Sequence, residues 1–183
     1  TSSYFSTDDS AANSITGDID VRVFGALTVW GADGLAQTLI AKDPQVGVNP
    51  RDWDLYLDGT DNKLNVEYSL DGTSSLSVIS TAAHTLTDGV QGALRFTRVA
   101  STGVFTFYQS TDGMATWTQI GNTVAGTAGA LADTNRSLVV GAASVGTNPT
   151  GGRIYRAQIY SGINGTLAVD FNPNLSTSAQ TFT

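Results

Sequence analysis

Three aromatic residues stand where their rings could meet a ligand. Trp30 precedes Gly31-Ala32-Asp33-Gly34, Trp53 sits between Asp52 and Asp54, and Tyr56 alternates with Leu55 and Leu57. A ring that faces solvent offers a stacking surface to a pyranose, with nearby Asp, Asn or Arg binding its hydroxyls. Trp30, Trp53 and Tyr56 are therefore the candidate ligand-binding residues. The competing reading for each tryptophan is packing in the core or over a sheet edge. The densest carboxylate run is Asp52 and Asp54, followed by Asp58 and Asp61. Loop Asp oxygens are ordinary donors to calcium, so these four are the candidate ligands for a calcium ion. Their spacing is not that of an EF-hand loop, and turn-forming, solubilising Asp is the competing reading. Glu67 and Asp71 would share one face of a continuous strand, as a carboxylate pair for glycoside hydrolysis must. Asp71 opens an Asp-Gly turn, however, which favours a solvated strand residue beside a turn residue. His84 has no candidate nucleophile near it in the sequence and reads as a hydrogen-bonded or surface residue. No catalytic residue is assigned.

Composition narrows the chemistry further. The chain has 183 residues, 40% of them hydrophobic, which is enough for a sizeable core. With no cysteine and one histidine, disulfides, thiolate metal sites and multi-histidine metal sites are excluded. The net charge is −7, with nine Lys and Arg that form no basic cluster, so neither nucleic acid nor an anionic membrane is an expected partner. No apolar stretch approaches the ~18–20 residues of a membrane-spanning helix. Thr1-Ser2-Ser3-Tyr4 carries no starting Met and no secretory pattern, which predicts a fragment or module of a longer protein.

The elements that must hold these residues are strands. Ile19, Val21 and Val23 alternate with Asp18, Asp20 and Arg22, so one face of that strand is core and the other solvent. Leu55 and Leu57, then Leu64, Val66, Tyr68 and Leu70, then Leu167, Val169 and Phe171 repeat the period of two. Val104–Tyr108 and Leu138–Ala142 are apolar on both faces and read as strands covered on both sides. Asp-Gly at 33–34, 58–59, 71–72, 88–89 and 112–113 supplies the positive φ that tight hairpins require. Fifteen of the sixteen acidic residues are Asp, the residue of turns rather than of helix interiors. Roughly ten to thirteen short strands are expected in one β-sandwich domain over residues 1–183, with 174–183 a tail or a lead into a neighbour.

Two segments carry a family resemblance. Ile15–Val23 and Gly152–Thr166 (GRIYRAQIYSGINGT) resemble the early and late strands of concanavalin A-like, laminin-G-like jelly-roll domains. More narrowly, the pair is similar to the version found in virion proteins of tailed bacteriophages, where a Gly-x-Ile-Tyr strand leads into a Gly-Ile-x-Gly-Thr turn. Ser69–Val78 and Phe105–Ile120 fit the middle strands, so the resemblance covers most of residues 4–172. It implies an all-β fold, a two-sheet antiparallel jelly-roll sandwich. Hydrolases resembling this fold carry Glu-x-Asp-x-x-Glu on one strand, which this sequence lacks; relatives of the laminin-G and legume-lectin kind often hold calcium at a rim. Ser110–Trp117 (STDGMATW) resembles an Asp-box, with Met114 where that motif has Gly. The box is a structural hairpin, with Ser and Asp bonding turn amides and Trp packed beneath.

The resemblance implies a non-enzymatic module on the surface of a tailed-phage virion, outside the cell. Its partners would be host-surface glycans or other virion proteins, with weak sites multiplied in a homo-oligomer. The alternatives are a purely structural or decoration module that joins subunits and, less favoured, a polysaccharide-degrading glycoside hydrolase. Arg95, Arg98, Arg153 and Arg156 are expected to pair with Asp or to contact another subunit.

Overall fold

A computed structural model describes residues 4–42, 52–143 and 147–173. Its thirteen strands, numbered in chain order, form two sheets, and every pairing is antiparallel. One sheet runs in the order β1 (Phe5–Thr7), β11 (Leu138–Val140), β3 (Gln37–Lys42), β4 (Trp53–Leu57), β5 (Leu64–Tyr68) and β6 (Leu76–Ile79). The other runs β10 (Val124–Ala125), β8 (Val104–Ser110), β7 (Gly92–Val99), β2 (Ile19–Leu27), β12 (Gly152–Ser161) and β13 (Thr166–Phe171). The short β9 (Thr118–Gln119) also pairs with β8. Among the described residues no helix is long and apolar enough to cross a membrane.

The alternation in the sequence becomes the two faces of each sheet. Ile19, Val21 and Val23 of β2 point into the core with Leu94 and Phe96 of β7, Phe105 and Phe107 of β8, and Ile159 of β12. Leu55 and Leu57 of β4 and Leu64 and Val66 of β5 meet them from the opposite sheet. Aromatic rings interlock through the centre: Trp53 meets Phe96 edge-on at 5.9 Å, and Tyr68 lies 5.0 Å from Phe105. Removing such side chains from water supplies the main drive to fold, at about 25 cal/mol per Å² of apolar surface.

Two sequence expectations change here. Val104–Tyr108 is not apolar on both faces: Phe105 and Phe107 are core, whereas Thr106 and Tyr108 are half-buried on the outer face. Asp20 was expected to meet solvent, yet it is 0% exposed; Arg95, expected to pair with Asp or to contact another subunit, is 5% exposed. Something covers that outer face, and what covers it defines the site below.

Candidate functional site

Cross-strand register builds a polar row across the outer face of the seven-stranded sheet. Asp170 lies opposite Gln158, Gln158 opposite Arg22, Arg22 opposite Arg95, Arg95 opposite Tyr108, and Tyr108 opposite Gln119. The next row places Tyr160 opposite Asp20. Because side chains two apart on a strand share a face, Asp20 and Arg22 stand side by side.

Asp20 is the hub. Arg22 donates to it from Nε at 3.1 Å and from Nη2 at 2.7 Å, and Arg95 donates from Nε and Nη2, both at 2.8 Å. The backbone N–H of Asn164 adds a fifth bond at 3.1 Å. Both arginines also donate to the Asn164 side-chain oxygen, at 2.7 and 3.0 Å. Burial by itself would raise the Asp20 pKa; the hydrogen bonds from Arg22 and Arg95 outweigh it and hold the carboxyl below its ordinary value. Two guanidiniums share one carboxylate, so the cluster keeps one positive charge in excess. Nη1 of each arginine makes no hydrogen bond with a described residue and is not sealed from solvent.

Aromatic rings wall this charge. The Arg22 guanidinium lies 4.2 Å from the Tyr160 ring centroid and 5.8 Å from that of Trp117. The Arg95 guanidinium lies 4.7 Å from Tyr108 and 5.5 Å from Trp117. Contacts of this kind add about 0.5–2 kcal/mol each and orient both partners. Trp117, Tyr108 and Tyr160 are half-buried, so part of each reaches solvent.

Trp117 is delivered by the hairpin between β8 and β9. The Ser110 hydroxyl donates to Asp112 at 2.7 Å and accepts from Met114 N–H at 3.1 Å. Asp112 accepts from the Thr116 hydroxyl at 2.6 Å and from its N–H at 3.0 Å, bonds that with Ser110 hold its pKa down to about 2. Gly113 and Met114 both have φ of 74°. The hairpin therefore keeps Asp-box geometry although Met114 occupies a left-handed position that suits glycine. The box is structural, as expected, but its tryptophan leans over Arg22 and Arg95.

The residues singled out in the sequence lie elsewhere. Trp30 is 1% exposed; its backbone N–H donates to Asp88 and its indole N–H to the Val90 carbonyl. Trp53 is 2% exposed in the core. Both rings pack, so neither offers a face to a sugar. Tyr56 is half-buried on the outer face of the six-stranded sheet, on the far side of the sandwich from the arginine pair. Asp52, Asp54, Asp58 and Asp61 do not converge on a cation. Asp52 is buried, accepts from Thr134 N–H at 3.0 Å and lies 3.3 Å from the Lys42 ammonium. Asp54 accepts from Glu67 N–H, Asp58 caps its turn at Thr60, and Asp61 pairs with Lys63. Among the described residues no group of three or more His, Asp or Glu side chains is placed to hold a metal ion.

The positive charge that the Asp52 region does hold is Lys42. Its ammonium is 1% exposed and meets Asp9 and Asp133 at 2.9 Å and Ser14 Oγ at 3.0 Å. Burial pushes the Lys42 pKa down, but the bonds to Asp133 and Asp9 and the charge of Asp52 outweigh it, and the pKa rises. Asp71 leaves the strand, as its Asp-Gly turn suggested: it accepts from the Thr73 and Ser74 N–H groups, which hold its pKa far below the usual range. His84 is buried against Trp30, accepts from Leu86 N–H, and has its pKa lowered by burial. Of the arginines, Arg95 pairs with Asp20 and Arg156 with Asp170, whereas Arg98 is buried and donates to the carbonyls of Thr127 and Gly129.

A concavity of about 420 Å³ opens between the sheet edges, beside Tyr4, Phe5, Phe171 and Pro173. Its walls are mostly apolar, with Arg153 as the charged member of the lining. It lacks the convergent polar groups of the arginine face.

No family model matches the chain, and no curated protein matches it. Solved structures do share its fold. The CBM40 of the Ruminococcus gnavus IT-sialidase, solved with α2,3-sialyllactose bound, superposes with a TM-score of 0.64 at 14% identity, over 89% of this chain and 88% of that one. The binding domain of botulinum neurotoxin DC, in complex with SialylT, gives 0.55 at 9% identity, over 87% of this chain and 36% of that one. The enzymatically active domain of tailspike protein 2 of bacteriophage CBA120 gives 0.56 at 15% identity, over 87% and 24%. The fold is thus the concanavalin A-like jelly roll, an antiparallel two-sheet sandwich that this chain shares with carbohydrate-binding modules.

Proposed function

We propose that the protein binds glycans on the outer face of the seven-stranded sheet, and that it selects sugars carrying a carboxylate. One observation carries the reading: Arg22 and Arg95 share the single carboxylate of Asp20, leaving an excess positive charge and free N–H donors between Trp117, Tyr108 and Tyr160. Guanidinium groups fixed in this way need no ordering when an anion arrives, and rings beside them stack on the sugar. A chain of net charge −7 does not attract anions generally, so selection would come from this spot. The shared fold with a CBM40 solved with sialyllactose agrees with the reading.

We propose further that the protein serves as a non-enzymatic module on a tailed-phage virion, outside the cell, where a homo-oligomer multiplies weak sites. The motif at Gly152–Thr166 and the fold shared with part of a phage tailspike support this setting. The test is a glycan array probed with the multivalent domain and its Arg22→Ala and Trp117→Ala variants. Carboxylate-bearing glycans should bind and both variants should lose about tenfold or more. Binding to neutral glycans alone, or to none, would overturn the proposal.

A further inference from the structure

Taking the glycan-binding reading of the Arg22–Arg95 site as given, we infer that the same face holds a second subsite, built by Arg153, Tyr155 and Asp88, for a neutral sugar two units along the same oligosaccharide from the acidic one. Four residues along β2 lead from Arg22, beside Gln158, to Ala26, beside Arg153, which is about 13 Å along a strand. The outward residues of β2 run from Asp20 and Arg22 through Phe24 to Ala26, and Arg153 lies opposite Ala26. The two subsites are therefore ends of one track.

Three features shape its far end. The register of β12 against β2 shifts between Ile154 and Arg156, and this bulge turns Tyr155 onto Phe24, with ring centroids 5.5 Å apart. Bulges of this kind re-aim a side chain where a regular strand could not. Gly152, at φ +112°, brings the start of β12 flush against β2: a Cβ there would lie 2.5 Å from the Ala26 carbonyl oxygen. Beyond Tyr155 a cleft of about 450 Å³ opens, lined by Ala26, Thr28, Asp88, Arg153 and Tyr155.

Arg153 is exposed and its guanidinium makes no hydrogen bond or ion pair with a described residue, unlike those of Arg22, Arg95 and Arg156 on the same sheet. A free guanidinium donates to hydroxyls, a carboxylate accepts from them, and Tyr155 offers a ring to stack on. Asp88 in the lining disfavours a second carboxylate, so the unit held here is neutral.

The experiment titrates the full chain and its Arg153→Ala and Arg22→Ala variants with N-acetylneuraminic acid and with α2,3-sialyllactose, by calorimetry. The intact protein should bind sialyllactose about tenfold more tightly than the monosaccharide. Arg153→Ala should abolish that difference and leave the monosaccharide Kd unchanged, whereas Arg22→Ala should weaken both. Equal Kd values for the two probes in the intact protein, or an equal loss for both in Arg153→Ala, would overturn the second subsite alone. Binding of neither probe would overturn the parent reading, and the subsite with it.

Discussion

Asp20→Asn changes one atom at the centre of the arginine pair, and it should unfold the protein more readily than any surface substitution. The native carboxylate is fully buried and accepts four guanidinium N–H bonds and one backbone N–H bond. The amide keeps the shape, removes the charge and turns an NH2 group toward donors. Arg22 and Arg95 then face each other as cross-strand neighbours with no counter-ion. Cβ atoms of such neighbours lie about 5 Å apart, and like charges at that distance repel by roughly 3 kcal/mol at an effective dielectric of about 20. Breaking a buried ion pair from one side costs about 3–5 kcal/mol, consistent with that figure. Urea unfolding followed by fluorescence should show a midpoint lower by roughly 2 M, for a slope near 2 kcal/mol per M. The double variant Asp20→Asn/Arg95→Gln should recover part of the loss. The acid limb supplies a second check. A carboxyl held below its unfolded value contributes stability above about pH 4 that disappears as pH falls through the folded value, so the variant should lose stability less steeply there. A midpoint shift under about 0.5 M with an unchanged acid limb would refute the reasoning.

The remaining predictions concern the rest of the frame. Lys42→Met leaves buried Asp52 without its cation and should cost about 3–5 kcal/mol in urea unfolding. Because the Lys42 pKa is raised, its contribution is present below about pH 10 and is lost as pH climbs through the folded value; the variant should lack that alkaline loss. Met114→Gly should stabilise by up to about 1 kcal/mol, since the left-handed φ costs Met and not Gly while glycine loses more entropy on folding. EDTA should leave glycan binding unchanged in a pull-down, because Asp52, Asp54, Asp58 and Asp61 are committed to separate partners.

The strands were legible because each reports itself locally. Ile19, Val21 and Val23 alternate with charge, and Asp-Gly pairs mark turns wherever the chain reverses. The site was not legible, for a reason of distance in the chain. Arg22 meets Arg95 and Asn164 across 73 and 142 residues; Asp20 read as a solvated strand charge, and Arg95 as the partner of an Asp that its own segment could not identify. Trp117 was visible, but the Asp-box pattern explained it fully as a turn residue. Trp30 looked exposed because a Gly-rich loop follows it, and Trp53 because Asp52 and Asp54 flank it, yet Trp30 is buried and Asp52 and Asp54 are themselves buried and satisfied. The usable signal was Asp20-x-Arg22, an acid and a base on one outward face two residues apart, which local pairing in a strand brings together.

The measurement that tests the central claim most directly is amide chemical-shift mapping with α2,3-sialyllactose on the labelled protein. The arginine-face account predicts shifts confined to residues around Asp20–Phe24, Arg95–Thr97, Tyr108, Trp117 and Gln158–Asn164, together with Asp88 and Arg153–Tyr155 of the second subsite, with the Trp117 indole N–H moving most. Shifts centred on Tyr56 and the outer face of the six-stranded sheet, or none at millimolar ligand, would contradict it.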